Sequence, residues 1–312
     1  MRRSKSPQIS IIIISYNMAR EVPRTVQSFL PPYQNDLSPD EIEIIVMENG
    51  SSNPIPKSVR ESWPENVRYI KVENPHPSPA KALNQGVEMA RGEWVCPVID
   101  GARMVSPGVI NAAKAMMKAH ENPVIATIGY HLGHKTQQIN VDFGYNQEEE
   151  DKLLDSINWP DEPYKLFEIS SLGGSAKAGW LQTLMESNVP FMKKSFYQSI
   201  SGFDEAFDIP GGGLVNLDFF KRCVEHPETQ YVLLLGEASF HQYHGGVTTS
   251  RRVGMPSQTV KGKTTWEVYS EQYEAIRGAS YKGPTVKPII YGEHYEVARS
   301  ETIRFAKTVL ES

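Results

Sequence analysis

Five short apolar runs, each closed by polar turn-forming residues and several separated by helix signals, confine this 312-residue chain to a layered α/β fold. They are Gln8–Ile14, Ile42–Met47, Val67–Val72, Trp94–Ile99 and Val124–Ile128. Near-continuous rather than alternating hydrophobicity is the pattern of strands covered on both faces. Ser78-Pro79 places a cap residue and a first-turn proline before a helix over Ala80–Ala90, which Gly92 ends, and Ser106-Pro107 repeats the device before Val109–His120. Together these signals predict an α/β fold with a mostly parallel central sheet and helices on both faces. Ligands of such sheets gather beyond the carboxyl ends of the strands, where strand order reverses. That directs attention to Ser15-Tyr16-Asn17, Glu48–Ser51, Asn74–Ser78 and Asp100–Arg103.

Composition excludes several classes of function. A net charge of −5 provides no chain-wide basic field for nucleic acid. Cys96 and Cys223 are the only cysteines and share no metal or redox spacing, so both read as buried apolar residues in a reducing cytoplasm. The basic Met1–Lys5 and apolar Ile9–Ile14 are too short together for a secretory leader, and no run approaches the roughly 20 apolar residues of a membrane span, which leaves only peripheral membrane contact. The acidic run Glu148–Asp151 reads as a solvated helix start. With no repeats or interdomain linker, residues 1–312 read as a single domain.

Ile9-Ser-Ile-Ile-Ile-Ile-Ser-Tyr-Asn17, Glu43-Ile-Ile-Val-Met-Glu-Asn-Gly-Ser-Ser52, Ala82-Leu-Asn-Gln-Gly86, Gly92-Glu-Trp-Val-Cys-Pro-Val-Ile-Asp100 and Ser201-Gly-Phe-Asp-Glu205 follow one another along the chain. In this order they resemble the motifs of family-two glycosyltransferases of the GT-A fold, a resemblance that covers Gln8 to Gly246. It implies an enzyme with a nucleotide-diphosphate-sugar donor held by residues 8–128, an acceptor side in residues 129–246, and a lid with a helical extension in residues 247–312. The reaction implied is sugar transfer, with inversion, to a hydroxyl of a glycan or lipid-linked glycan.

The resemblance also assigns roles. Glu48 stands where the family has an aspartate that accepts a hydrogen bond from the nucleobase imide, which favours UDP- or dTDP-sugars; the other reading is a cap on the Gly50-Ser51 turn. Ser15, Tyr16, Asn17 and Asn49 fall in the nucleotide pocket, although Tyr16 could simply cover the sheet end. Lys81 and Asn84 lie on the helix beside it, as donor contacts or as ordinary polar helix positions. Asp100 matches the first acid of the family's acid-x-acid motif, while Ala102 occupies the second place. A divalent cation, magnesium or manganese, would then be held weakly or not at all, by Asp100 and His244, with His241 structural. Gly101, Arg103 and the loop residues Arg251 and Arg252 would stabilise the diphosphate, unless the arginines are merely solvated.

On the acceptor side, Val215 and Asn216 stand at the family's Glu-Asp pair, so the usual base is absent. Asp218 is the nearest carboxylate, either as base or as partner of Arg222, and Asp204 lies close by in its turn. Gly212 and Gly213 permit close approach to a sugar, and Trp180 either stacks on that sugar or is buried. The changes at Ala102 and Asn216 suit a second reading as well, a catalytically silent nucleotide-sugar-binding or scaffolding protein.

Overall fold

The computed structural model describes residues 6–177, 179–246 and 260–310. Strand β1 (Ile9–Ser15) is buried along its whole length, as its isoleucine density demands. Helix α1 (Glu21–Phe29) returns beneath it with Val22, Val26 and Phe29 facing inward. β2 (Ile42–Glu48) runs parallel to β1, in a register that sets Ser15 against Glu48. After the short α2 (Lys57–Glu61), β3 (Val67–Lys71) adds parallel to β2. α3 (Ala80–Glu88) then crosses over, and β4 (Trp94–Val98) pairs with the free side of β1.

The order β3-β2-β1-β4 reverses at β1, so the strand ends at Ser15 and beyond Val98 lie side by side at the place where such sheets bind ligands. Alternating residues divide two apolar layers between them. Ile12, Ile14, Ile45 and Met47 pack with Ala80, Leu83 and Val87 of α3. Ile11, Ile13, Ile44 and Val46 pack with α1.

Most of the remaining strands form a second sheet. β5 (Arg103–Val105) leads into α4 (Val109–Ala119) and β6 (Pro123–Leu132), followed by α5 (Gln137–Asn140), α6 (Gln147–Ser156) and β7 (Ser170–Leu172). β8 (Met192–Lys193) joins the first sheet antiparallel to β4. Then come α7 (Lys194–Ser199), α8 (Val215–Val224), β9 (Gln230–His241), α9 (Thr265–Arg277), β10 (Ile289–Tyr291) and α10 (Tyr295–Leu310). This sheet runs β10-β9-β6-β7, with β5 antiparallel to β9. The run over 124–128 therefore does not extend the first sheet. It pairs with β9, and a single bridge between Ile125 and Phe191 joins it to the segment entering β8.

Several local readings change in the folded chain. Ser106 does not cap α4, because its hydroxyl is engaged by the buried Glu237 carboxylate. The acidic run does start a helix, with the Asn146 side chain accepting from the Glu148 and Glu149 N–H groups, but Glu150 is fully buried rather than solvated. Both cysteines are free and buried. No helix among the described residues is long and apolar enough to cross a membrane.

Gly101 illustrates how closely the loop after β4 is packed. A Cβ there would stand 2.0 Å from the Ile14 carbonyl oxygen, and the Gly101 carbonyl already accepts from the Thr25 hydroxyl at 2.6 Å. Gly101→Ala is therefore expected to lower stability by about 1–3 kcal/mol, as overpacking against backbone does. A urea midpoint equal to that of the wild type would contradict it.

Candidate active site

The loops after β1, β2 and β3 are stitched into one floor. Asn17, in the left-handed region at φ 53°, donates its N–H to the Ser51 hydroxyl at 2.7 Å and accepts from the Ser52 hydroxyl and the Asn53 N–H. Asn49 spans to the next loop, donating to the His76 carbonyl and accepting the His76 N–H. Glu48 is buried beneath. One of its oxygens takes the Ser51 N–H and hydroxyl, and the other takes the hydroxyls of Ser15 and Tyr69 at 3.2 and 3.1 Å. Four donors occupy the four lone-pair positions of a carboxylate, so Glu48 organises the turn and has nothing left for a base imide. Tyr16 is 56% exposed and leaves its ring free above the floor.

Asn84 is likewise committed. It accepts from the Tyr197 hydroxyl and the Phe203 N–H, and it donates to the Phe203 carbonyl and to Glu205. It braces the Ser201–Glu205 turn rather than a nucleotide. Lys81, at the start of α3, is exposed.

The C-terminal ends of β4 and β9 bring three ligand-bearing side chains together. An Asp100 oxygen lies 2.7 Å from His241 Nε2, the other Asp100 oxygen lies 3.5 Å from His244 Nε2, and the two imidazole Nε2 atoms are 3.1 Å apart. Helix α5 fixes the His241 ring. The Gln137 amide NH₂ donates to the His241 carbonyl, which turns the amide oxygen onto His241 Nδ1 at 2.6 Å and so demands a proton on Nδ1. The Nε2 lone pair of the neutral ring then points at Asp100 and His244. Burial depresses the His241 pKa to about 4, so the ring is neutral at pH 7.

Burial opposes ionisation of Asp100, but the positive charge of the histidines when protonated and of Arg103 holds its carboxyl well below the usual carboxylate range, and Arg103 keeps that charge at pH 7. The buried Arg103 places Nε 3.5 Å from Asp100. One carboxylate oxygen and two imidazole nitrogens converging within 4.8 Å are a donor set suited to a divalent cation. The strand that carries both histidines is held from behind. The Gln242 side chain donates to the Glu21 carbonyl, and the Tyr243 N–H donates to Glu150, which Arg20 pairs from the other side.

The acceptor-side expectations fare differently. Asp218 is buried, and both its oxygens are taken: Arg222 donates at 2.8 Å, and Arg277 donates through two nitrogens at 2.7 and 2.8 Å. Asp204 accepts the Ala206 N–H and pairs with Arg277 at 2.7 Å. Asp218 has three of its four lone-pair positions filled and Asp204 two, and Arg277 ties both carboxylates into one ion-paired network, an arrangement that suits a structural role. Trp180 is buried against Tyr130 and Phe167, with its Nε1 donating to the Leu234 carbonyl, which places its ring beyond the reach of a sugar. Gly211, Gly212 and Gly213 all have positive φ, and Gly212 lies against Ser78 and Pro79, where the two halves of the chain meet. Asn216 sits one turn beyond, in the first turn of α8. Arg251 and Arg252 lie outside the described residues.

The Glycosyl transferase family 2 profile matches residues 10–167, just over half of the chain. The chain belongs to glycosyltransferase family 2. A comparison with curated proteins finds no match. Among solved structures, S. aureus TarS superposes with a TM-score of 0.53 at 13% identity, over 76% of this chain and 37% of that one. TarS 1–349 in complex with UDP-GlcNAc gives 0.53 at 13% identity, over 86% of this chain and 66% of that one. This family-2 chain thus spans less than two thirds of either, and the likeness establishes a shared GT-A fold.

As a member of the family it departs from the acid-x-acid pattern for a visible reason. Ala102 is fully buried in the apolar layer, and its carbonyl accepts the Gln242 N–H. A carboxylate there would be buried without a partner. In sequence alone His241 reads as structural, and nothing singles out Gln137 or Arg277. Two histidines three apart at a strand end were the available signal for His241, whereas Gln137 and Arg277 are joined to the site only by the fold.

Proposed function

We propose that this family-2 chain transfers a sugar from a nucleotide-diphosphate donor to a hydroxyl of a glycan or lipid-linked glycan, with inversion. The convergence of Asp100, His241 and His244 at the reversal of strand order carries the proposal. The donor lies along residues 8–128, with the exposed Tyr16 ring as its stacking face and Lys81 at the rim. The acceptor enters from residues 129–246. The pyrimidine preference drawn from Glu48 loses its support, since that carboxylate is saturated, and base selection falls to other groups.

Asp100, His241 and His244 would hold a magnesium or manganese ion. When bound, such an ion neutralises the two phosphates of the donor and of the departing diphosphate. Gln137 keeps the His241 lone pair facing the site, and Asp100 supplies the only negative charge of the three. Arg103 adds a fixed positive charge beside them. With three ligands rather than two, measurable manganese affinity is expected even without nucleotide.

The test is a panel of UDP-, dTDP- and GDP-sugars with glycan acceptors, with and without manganese. Release of nucleoside diphosphate that requires both donor and acceptor is the expected result. Saturable nucleotide-sugar binding with no acceptor-dependent release would instead identify a silent binding protein.

A further inference from the structure

Two carboxylates near the acceptor side are neutralised by arginines, and the position that normally carries the base holds an asparagine. A third carboxylate has neither handicap. Glu186, partly exposed, accepts a hydrogen bond from Asn216 Nδ2 at 2.6 Å through Oε2. Among the described residues no cation pairs with Glu186, and no hydrogen bond to its Oε1 is present. Asn216 is buried and also donates to Asn188 at 3.3 Å, so its amide holds the carboxylate in a set orientation.

The backbone on both sides of Glu186 is pinned. The Met185 N–H donates to the Ser175 carbonyl, and its carbonyl accepts from the Tyr281 hydroxyl. The Ser187 hydroxyl bridges both backbone groups of Thr127. A carboxylate supported in this way is pre-organised.

Its location also suits the task. The Gly211 N–H donates to the Pro77 carbonyl, and Gly212 packs on Ser78 and Pro79, so the start of α8 abuts the loop after β3 that Asn49 ties to the nucleotide floor. Asn216 and Glu186 therefore stand at the seam between donor and acceptor sides.

We infer that Glu186 is the catalytic residue that removes the acceptor proton, a role relocated from position 216 to a different segment and held there by Asn216. The inference rests on the transferase reading above. In the step, the acceptor oxygen forms a bond to the anomeric carbon on the face opposite the diphosphate. The bond from that carbon to the phosphate oxygen breaks, and its electron pair leaves with the diphosphate. The hydroxyl proton passes to Glu186 Oε1 and later to water, so charge and atoms balance.

The experiment uses the full chain with whichever donor and acceptor support wild-type turnover. Glu186→Gln keeps an oxygen for Asn216 and is expected to lower kcat by about 10²–10⁴ while donor affinity changes less than about 2-fold. Adding Asn216→Asp to that variant returns a carboxylate to the same spot and should recover at least about 10-fold of the loss. Glu186→Asp keeps the acid and should retain turnover above that of Glu186→Gln, so it also serves if the glutamine variant does not fold. A folded Glu186→Gln with wild-type kcat, or Glu186→Asp as inactive as Glu186→Gln, overturns the assignment. A wild type without acceptor-dependent release overturns the transferase reading and the assignment together, which separates the two failures.

Discussion

Asp100→Asn is expected to lower transfer by at least about 100-fold and to remove most of the manganese affinity, while leaving the fold intact. Asp100 is the single anion among three ligands, and its two neighbours are imidazoles, one held neutral by burial. Asparagine can still accept the Ala102 N–H that Asp100 accepts at 3.1 Å, so the loop keeps its turn. What is lost is the charge that draws a cation and offsets Arg103 at 3.5 Å. Loss of one electrostatic contact to a developing charge costs about 10²–10³ in turnover, and loss of outer-shell support alone costs about 10- to 100-fold in metal affinity. Calorimetric titration with manganese and steady-state kinetics check both. Undiminished turnover together with wild-type manganese affinity would show that the three side chains are a structural cluster.

Asp218→Asn is expected to act on stability rather than chemistry. The native carboxylate accepts three guanidinium N–H bonds while buried, and Arg277 links it to Asp204, which joins α8, α9 and the turn after α7. An amide turns one of those acceptors into a donor facing a guanidinium. Breaking a buried ionic network from one side costs about 3–5 kcal/mol. The urea midpoint should fall accordingly, while kcat per folded molecule stays within about 3-fold of the wild type. A stable Asp218→Asn variant with turnover reduced by 100-fold or more would return Asp218 to the role of base and remove the case for Glu186.

The sequence by itself determined the α/β class, the positions of the first four strands and the loops that end them. Isoleucine density, cap residues and turn glycines act within a few residues of where they stand, and the order of the motifs along the chain marks family 2. It also marked Asp100 as a lone acid and Asn216 as a vacated base position, since a missing carboxylate is visible in one dimension. Only the tertiary structure decided what the polar residues do. Glu48 and Asn84 look available in sequence, but every hydrogen-bonding position of both is used up by partners that the chain fold delivers. Asp218 and Arg277 are 59 residues apart and pair only because α9 returns across α8. Glu186 and Asn216, 30 residues apart, meet only because the segment before β8 passes the start of α8. A side chain's chemistry depends on its burial and on which donors and charges remain unsatisfied around it, and those are properties of packing between distant segments, which local sequence does not encode.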